Sequence, residues 1–251
     1  MNYKIISQDD LRIISTHQNV SFLQKAKILE AIEFTHYIFD KFLDFEVDVF
    51  GILGMRNLSA FVGEVFAKAL EKKSDGLLIK NPHQDGYPDL LLMDEKGKEY
   101  WQKLSDMLKD KAPFSPFVNG GIEIKATCGS VPTPAQCRKK GLEKPDIGDQ
   151  RIGFLRKYDW KAHHRETNNL IGILWDFIDA VPRIVALFYS SDLTENDWGK
   201  IVKPKKGGGR TTSVSIMNRK GIQKMYEGTI LVFDNERYIN FLNRYNSSDK
   251  L

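Results

Sequence analysis

Three side chains near the middle of the chain carry its clearest chemistry: Asp89, Glu123 and Lys125. Asp89 stands in Gly86-Tyr87-Pro88-Asp89-Leu90-Leu91-Leu92-Met93. Glu123 and Lys125 stand in Gly120-Gly121-Ile122-Glu123-Ile124-Lys125-Ala126-Thr127. Both stretches are short aliphatic runs bounded by glycine or proline, which predicts strands, and Pro88 fits a strand's first position, where a missing N–H is tolerated. Alternate side chains of a strand share a face, so Asp89 goes with Leu91 and Met93, and Glu123 goes with Lys125 opposite Ile122 and Ile124. Charges on such strands are usually paired with each other or bound to a metal, because burying an unpaired charge is costly. Carboxylates and a strand carbonyl are hard oxygen donors of the kind Mg²⁺ prefers, and Mg²⁺ takes one or two carboxylates while keeping waters and substrate phosphates. A lysine two residues past the glutamate is placed to stabilise phosphate charge or to orient a water.

Pro88-Asp89 followed by Glu123-Ile124-Lys125 resembles the PD-(D/E)xK nuclease superfamily, and the chain's size resembles a type II restriction endonuclease. The two halves of the motif are 34 positions apart, more than a hairpin needs, and an inserted helix over Glu99 to Lys111 is expected between them. Asp85 and Asp94 are the substitute acids, the first ahead of the strand and the second at the turn-like Asp94-Glu95-Lys96-Gly97. The resemblance implies a restriction-endonuclease-like α/β fold, with a mixed central β-sheet flanked by helices in one domain over 1–251. It implies Mg²⁺ held by Asp89 and Glu123, with Lys125 completing the catalytic set. It also implies a double-stranded DNA substrate cut at a defined sequence, and a homodimer matching the two-fold symmetry of a palindromic site. Many members carry a glutamate on the helix before the aspartate strand. Gly63-Glu64 resembles that feature, which adds Glu64 to the metal set.

The helix that would carry Glu64 runs over about 57–72. Leu58, Phe61, Val62, Val65, Phe66, Ala69 and Leu70 recur at three-and-four spacing on one face, with Glu64 on the other beside Ala60, Gly63 and Ala67. Residues 1–50 read as mostly helical, from the pattern Phe22, Ala26, Ile28, Leu29, Ile32, Phe34. Leu77 to Lys80 begins the sheet, and Asn81 to Gly86 is a polar loop in which His83 is a surface residue. Leu170 to Ile178 and Arg183 to Tyr189 are core strands, with Asp176 and Asp179 as turn or surface residues near their junction. A strand over Val214 to Met217, a short helix over Arg219 to Tyr226, a strand over Thr229 to Phe233 and a carboxy-terminal helix follow.

Two segments could bind a polyanion. Cys128 to Asp159 lacks periodicity and is rich in Gly, Pro, Arg and Lys, including Arg138-Lys139-Lys140, directly after the Glu123 strand. Lys203-Pro204-Lys205-Lys206-Gly207-Gly208-Gly209-Arg210-Thr211-Thr212-Ser213 combines lysines for phosphate attraction, glycines for close backbone approach, and Arg210, Thr211, Thr212 and Ser213 for base edges. It lacks the Gly-Lys-Ser/Thr order of a P-loop. His163 and His164 with Asn168 and Asn169 offer a rival metal site of the His-Asn-His nuclease type. Their spacing fits that pattern poorly, and His17 and His36 are isolated.

Lys and Arg number 37 against 33 Asp and Glu, a net charge of +4. That balance supports an anionic partner without requiring one. Two cysteines, Cys128 and Cys137, are too few for a zinc cage or a disulfide framework. No apolar run reaches the roughly 18 residues of a membrane span and no apolar signal core follows Met1, so a cytoplasmic protein with no membrane partner is expected. Two further readings stay open: a DNA repair, resolvase or transposase-associated nuclease of the same superfamily, and a DNA-binding protein without catalysis.

Overall fold

The computed structural model describes residues 1–163, 165–166, 168–204 and 213–247, the side chain of residue 56 apart. The strands are β1 (Tyr3–Ile5), β2 (Leu11–Ile14), β3 (Val20–Leu23), β4 (Leu78–Lys80), β5 (Leu90–Leu92), β6 (Gly121–Thr127), β7 (Lys161–Ala162), β8 (Leu170–Ile178), β9 (Val181–Ser190), β10 (Ser215–Ile216) and β11 (Thr229–Phe233). The helices are α1 (Lys25–Lys41), α2 (Val49–Lys73), α3 (Glu95–Lys103), α4 (Pro134–Lys139), α5 (Arg219–Glu227) and α6 (Glu236–Ser247). The protein is α/β: a seven-stranded sheet in the order β1-β11-β9-β8-β6-β5-β4 lies between helices. The sheet is mixed, with β6 parallel to β8 and the other described pairs antiparallel.

The sheet's two faces carry separate cores. Ile171, Ile173, Trp175 and Phe177 of β8 join Ile122 and Ile124 of β6 against α1 and the Leu58, Val62, Phe66, Leu70 stripe of α2. Leu170 and Leu174 face the other way, onto Tyr158, Trp160 and the apolar sides of α5 and α6. β8 is therefore covered on both faces, which is why its sequence is nearly all apolar.

The edge that matters for chemistry is the β6-β5-β4 end. β6 approaches β5 so closely that a Cβ on Gly121 would stand 1.9 Å from the Leu90 carbonyl oxygen, so only glycine fits there. α2 starts at Asp48, whose carboxylate accepts from the Gly51 amide at 2.9 Å. Gly54, at φ 67°, then bends the helix, and the pieces Val49–Met55 and Asn57–Lys73 meet at 112°. The second piece lies on β6, with Gly63 in ordinary contact range of Ile124 and Ala126.

Several expectations change. Residues 1–23 form three short strands rather than helix, and Phe22, counted in the helical pattern, is an exposed residue of β3. β5 is shorter than the Gly86–Met93 run, beginning only after a cis Tyr87–Pro88 peptide. The inserted helix starts at Glu95, because Asp94 caps it by accepting from the Gly97 amide at 2.8 Å; the Asp94 to Gly97 stretch is a helix start and not a turn. Within Cys128 to Asp159 a Thr133-capped α4 forms. Asp176 is fully buried instead of exposed: it accepts from the Arg151, Ile152 and Phe177 amides at 2.7–2.9 Å and from the Tyr238 hydroxyl at 2.9 Å. Asp179 does sit in the β8–β9 turn, exposed and at positive φ with Ala180, as a two-residue hairpin of primed type requires.

Candidate active site

Asp89 is set by its neighbours before β5 begins. The Asn81 amide donates to the Asp89 carbonyl at 2.9 Å, and Asn81 Nδ2 donates to the carbonyls of Pro88 and Phe114 at 3.0 and 2.9 Å. Asn81 thereby holds the polar loop in register with the strand that follows it. On β6, the Glu123 amide donates to the Asn169 carbonyl at 3.0 Å, so the parallel β6–β8 pairing fixes the glutamate's backbone.

Across the β5–β6 seam the three charged groups meet. Asp89 Oδ2 accepts from the Ile124 amide at 2.7 Å, and the Asp89 amide donates to Glu123 Oε2 at 3.2 Å. Lys125 Nζ ion-pairs with Glu123 Oε1 and stands 3.7 Å from Asp89 Oδ2. Burial pushes the Asp89 carboxyl up to about 6, and the Glu123 carboxylate adds to that; Lys125, the Ile124 amide and Lys80 pull it back only in part. Burial alone would lower Lys125, but the carboxylates of Glu123 and Asp89 overturn this and hold it above the ordinary lysine value. Lys125 is thus a fixed cation, and Asp89 a carboxylate that ionises just below neutrality.

A cleft of about 250 Å³ opens at this point, lined by Asp89, Lys125 and Ala126 from the sheet and by Ser59, Gly63, Glu64 and Ala67 from α2. Glu64 therefore shares the cleft with Asp89, on the small-residue side of its helix. Its carboxylate is ion-paired with Lys80 Nζ at 2.8 Å instead of joining Asp89 and Glu123. The substitute acids are elsewhere: Asp85 is an exposed partner of Lys111 at 2.6 Å, and Asp94 is the α3 cap.

Among the described residues no three His, Cys, Asp or Glu side chains come together as a metal cage. Asp89 and Glu123 nevertheless suit Mg²⁺, which needs only one or two carboxylates and fills its remaining positions with water and phosphate oxygen. The donor set is all oxygen, and Asp89 Oδ1 makes no hydrogen bond or ion pair among the described residues. Among the described residues the His-Asn-His alternative has no metal set. Asn169 is buried and bonded to Ile14, Gly121 and Tyr189, while the exposed His163 Nδ1 donates to the Ser213 carbonyl at 2.8 Å; His164 lies outside the described residues. His36 is a buried acceptor for the Ile184 amide. His83 is half-buried against Phe114 rather than on the surface.

The basic segments are only partly placed. Arg138 and Lys139 end α4 and Lys140 follows it, all exposed, with no ion pair to any described carboxylate and no link to the Asp89 cluster. Lys203 and Ser213 are exposed; Lys205, Lys206, Arg210, Thr211 and Thr212 lie outside the described residues. Sequence reasoning missed Lys80, which takes the α2 side of β4 with Leu78. A lysine closing the apolar run Leu77-Leu78-Ile79 was its only signal. It also missed Arg151, which stands beyond the end of β6 near Cys128, where burial raises the thiol against the pull of the guanidinium.

No single helix among the described residues is long and apolar enough to cross a membrane. No protein-family model, no curated protein and no solved structure matches this chain, so the function is argued from its own residues.

Proposed function

We propose that this protein is a Mg²⁺-dependent endonuclease that hydrolyses phosphodiester bonds of double-stranded DNA at a defined sequence, in the manner of a type II restriction enzyme. One observation carries the reading: Asp89, just ahead of β5, and Glu123 and Lys125 of β6 converge within hydrogen-bond and ion-pair reach, with Asp89 and Lys125 lining an open cleft and Glu123 buried behind them. Asp89 and Glu123 are the residues that would hold the metal, with Glu64 across the cleft as a further carboxylate. When bound, Mg²⁺ supplies Lewis-acid polarisation of the phosphate and a more acidic water.

The protein's own groups do the rest. Lys125, kept protonated by its two acids, acts as a fixed charge for the negative phosphoryl oxygens and not as a base. Asp89, ionising near pH 6, is an available anionic ligand at neutral pH. The lysines at 203, 205 and 206 and the basic run Arg138 to Lys140 attract the backbone without reading sequence, while Arg210, Thr211, Thr212 and Ser213 supply base contacts. One hydrolytic set per chain matches a homodimer that cuts both strands, in the cytoplasm, as part of a restriction system.

The test is incubation of phage DNA with the protein and Mg²⁺. Discrete fragments, lost in Asp89→Ala, are the expected result. Absence of cleavage with Mg²⁺ and Mn²⁺ on every duplex offered, or full cleavage by Asp89→Ala, would sink the proposal. Nicking governed by DNA structure instead of sequence would move it to the repair and resolvase type of the same chemistry.

A further inference from the structure

Arg151 has a burial that its partners do not explain. Only 6% of the residue is exposed. A guanidinium carries five N–H donors and no acceptor. Among the described residues none of those donors reaches an oxygen: Nε is buried without a partner, and Nη1 meets only the Met55 thioether sulfur at 4.0 Å. Asp176, which accepts from the Arg151 backbone amide, is committed also to the amides of Ile152 and Phe177 and to the Tyr238 hydroxyl. Removing an arginine from water without a counter-ion is costly, so such groups are kept where an anion completes them.

The position of this guanidinium says which anion. Met55 lies at the bend of α2, immediately ahead of the helix piece Asn57–Lys73. The first N–H groups of a helix have no partners within it, and its amino end is the positive end of the dipole, an arrangement that receives phosphate and sulfate. Ser59, in the first turn of that piece, accepts from Trp175 Nε1 at 3.1 Å and lines the cleft shared with Asp89 and Lys125. Opposite it, Cys128 follows Lys125 by three residues, roughly 10 Å of extended chain. Ser59 thus joins the two: it lines the cleft, and Cys128, which hydrogen-bonds it, lies within electrostatic reach of the Arg151 guanidinium.

We propose that Arg151 and the first turn of the Asn57–Lys73 helix form an oxyanion site that takes a backbone phosphate of the bound nucleic acid, beside the phosphate at Lys125. The ownership of the phosphate rests on the nuclease reading; the oxyanion chemistry does not.

Two measurements test the site. In the first, thermal unfolding is followed in inorganic phosphate and in chloride at equal ionic strength. The wild-type protein should gain melting temperature specifically in phosphate, and Arg151→Gln should lose that gain. Because Arg151→Gln could itself unfold the loop, Met55→Glu is the second variant. It sets a carboxylate against the guanidinium, so it should raise the melting temperature in chloride and abolish the phosphate response. In the second measurement, duplex binding without divalent metal is titrated with KCl. Arg151→Gln should reduce the log–log slope by about 0.9, the value of one phosphate no longer neutralised, and Arg151→Lys should keep most of it. A phosphate response that is absent in the wild type, or unchanged in both Arg151→Gln and Met55→Glu, overturns the site. An Arg151-dependent phosphate response in a protein that neither binds nor cuts duplex overturns the nuclease reading and leaves a site for free phosphate. Duplex cleavage with an unchanged slope overturns the assignment to Arg151 and leaves the nuclease reading intact.

Discussion

Replacing Asp89 by asparagine should make the protein more stable and inactive at once. The Asp89 carboxyl is raised from 3.8 to about 6, chiefly by burial and next by the Glu123 carboxylate. Between those values the unfolded chain has released its proton and the native protein has not, so this group's contribution to stability falls as pH rises and levels off above about 6. Two pH units at about 1.4 kcal/mol each give a ceiling of about 3 kcal/mol. The side chain keeps 23% exposure, and solvent screening reduces the expected penalty to about 1–2 kcal/mol. Asparagine removes the titration, and its side-chain oxygen can still accept from the Ile124 amide.

Urea unfolding in EDTA, repeated from pH 4 to pH 8, is the assay. The stability of Asp89→Asn minus that of wild type should be near zero at pH 4 and should grow to about 1–2 kcal/mol by pH 7. Added Mg²⁺ should reverse the order: at a hundredfold excess over its dissociation constant it stabilises a protein that binds it by about 2.7 kcal/mol, and the variant should gain little. Cleavage should be undetectable in the variant, while in the wild type it should rise through pH 6 as Asp89 ionises. A stability difference that is flat with pH would refute the burial argument. Equal stabilisation of both proteins by Mg²⁺ would place the metal elsewhere.

Lys125→Met should lower the cleavage rate by about 10²–10³-fold, the usual effect of losing one group that stabilises transition-state charge. It should also tighten Mg²⁺ binding measured by calorimetry, because Asp89 and Glu123 no longer share their charge with an ammonium. Glu64→Gln, which frees Lys80 and removes the carboxylate that faces Asp89 in the cleft, should weaken Mg²⁺ by about 10–100-fold while leaving the melting temperature nearly unchanged. Asp176→Ala should destabilise by about 3 kcal/mol or more in urea unfolding, since three buried amides and the Tyr238 hydroxyl lose their acceptor. Replacing Lys203, Lys205 and Lys206 together with alanine should weaken all duplexes alike and reduce the salt slope by about 0.9 for each phosphate those lysines neutralise, read by fluorescence anisotropy.

The parts of this fold that are legible in the sequence are those whose pattern is long compared with its period. β8 and β9 announce themselves as long, nearly all apolar runs, and the Asn57–Lys73 piece of α2 as four turns of one buried stripe. Glu64 stands among the small residues Ala60, Gly63 and Ala67, whose size lets another element or DNA come close, and in the fold that side lines the cleft against β6. The first 23 residues fail for the opposite reason. β1 to β3 are three or four residues each, too short to display a period, and β1 pairs with β11 at the other end of the chain, where no local rule reaches. Phe22 fits the helical pattern only by coincidence of spacing with α1.

Charged residues divide along the same line. Glu123 and Lys125 can be found because each interrupts a strand whose apolar frame is visible, and Asp89 because it stands directly ahead of the apolar β5, so the charges stand out against a frame that ought to be greasy. Lys80 interrupts its strand too, but at the last position, where a solvated lysine looks identical in sequence; only the folded β4–β5 register turns it toward Glu64. Asp176 sits inside an apolar run as plainly as Glu123 does. Its neighbour Asp179 belongs to the hairpin turn, and that proximity draws both acids into one turn when the sequence is read alone, although the strand alternation sets them on different elements. Arg151 has no frame at all. Its surroundings are assembled from the bend of α2, the end of β6 and the loop before β7, and a buried cation built from three distant segments leaves no local pattern. The general consequence is that sequence exposes the acids of a site built on strands, and leaves to the fold the cations that loops and helix bends bring to it.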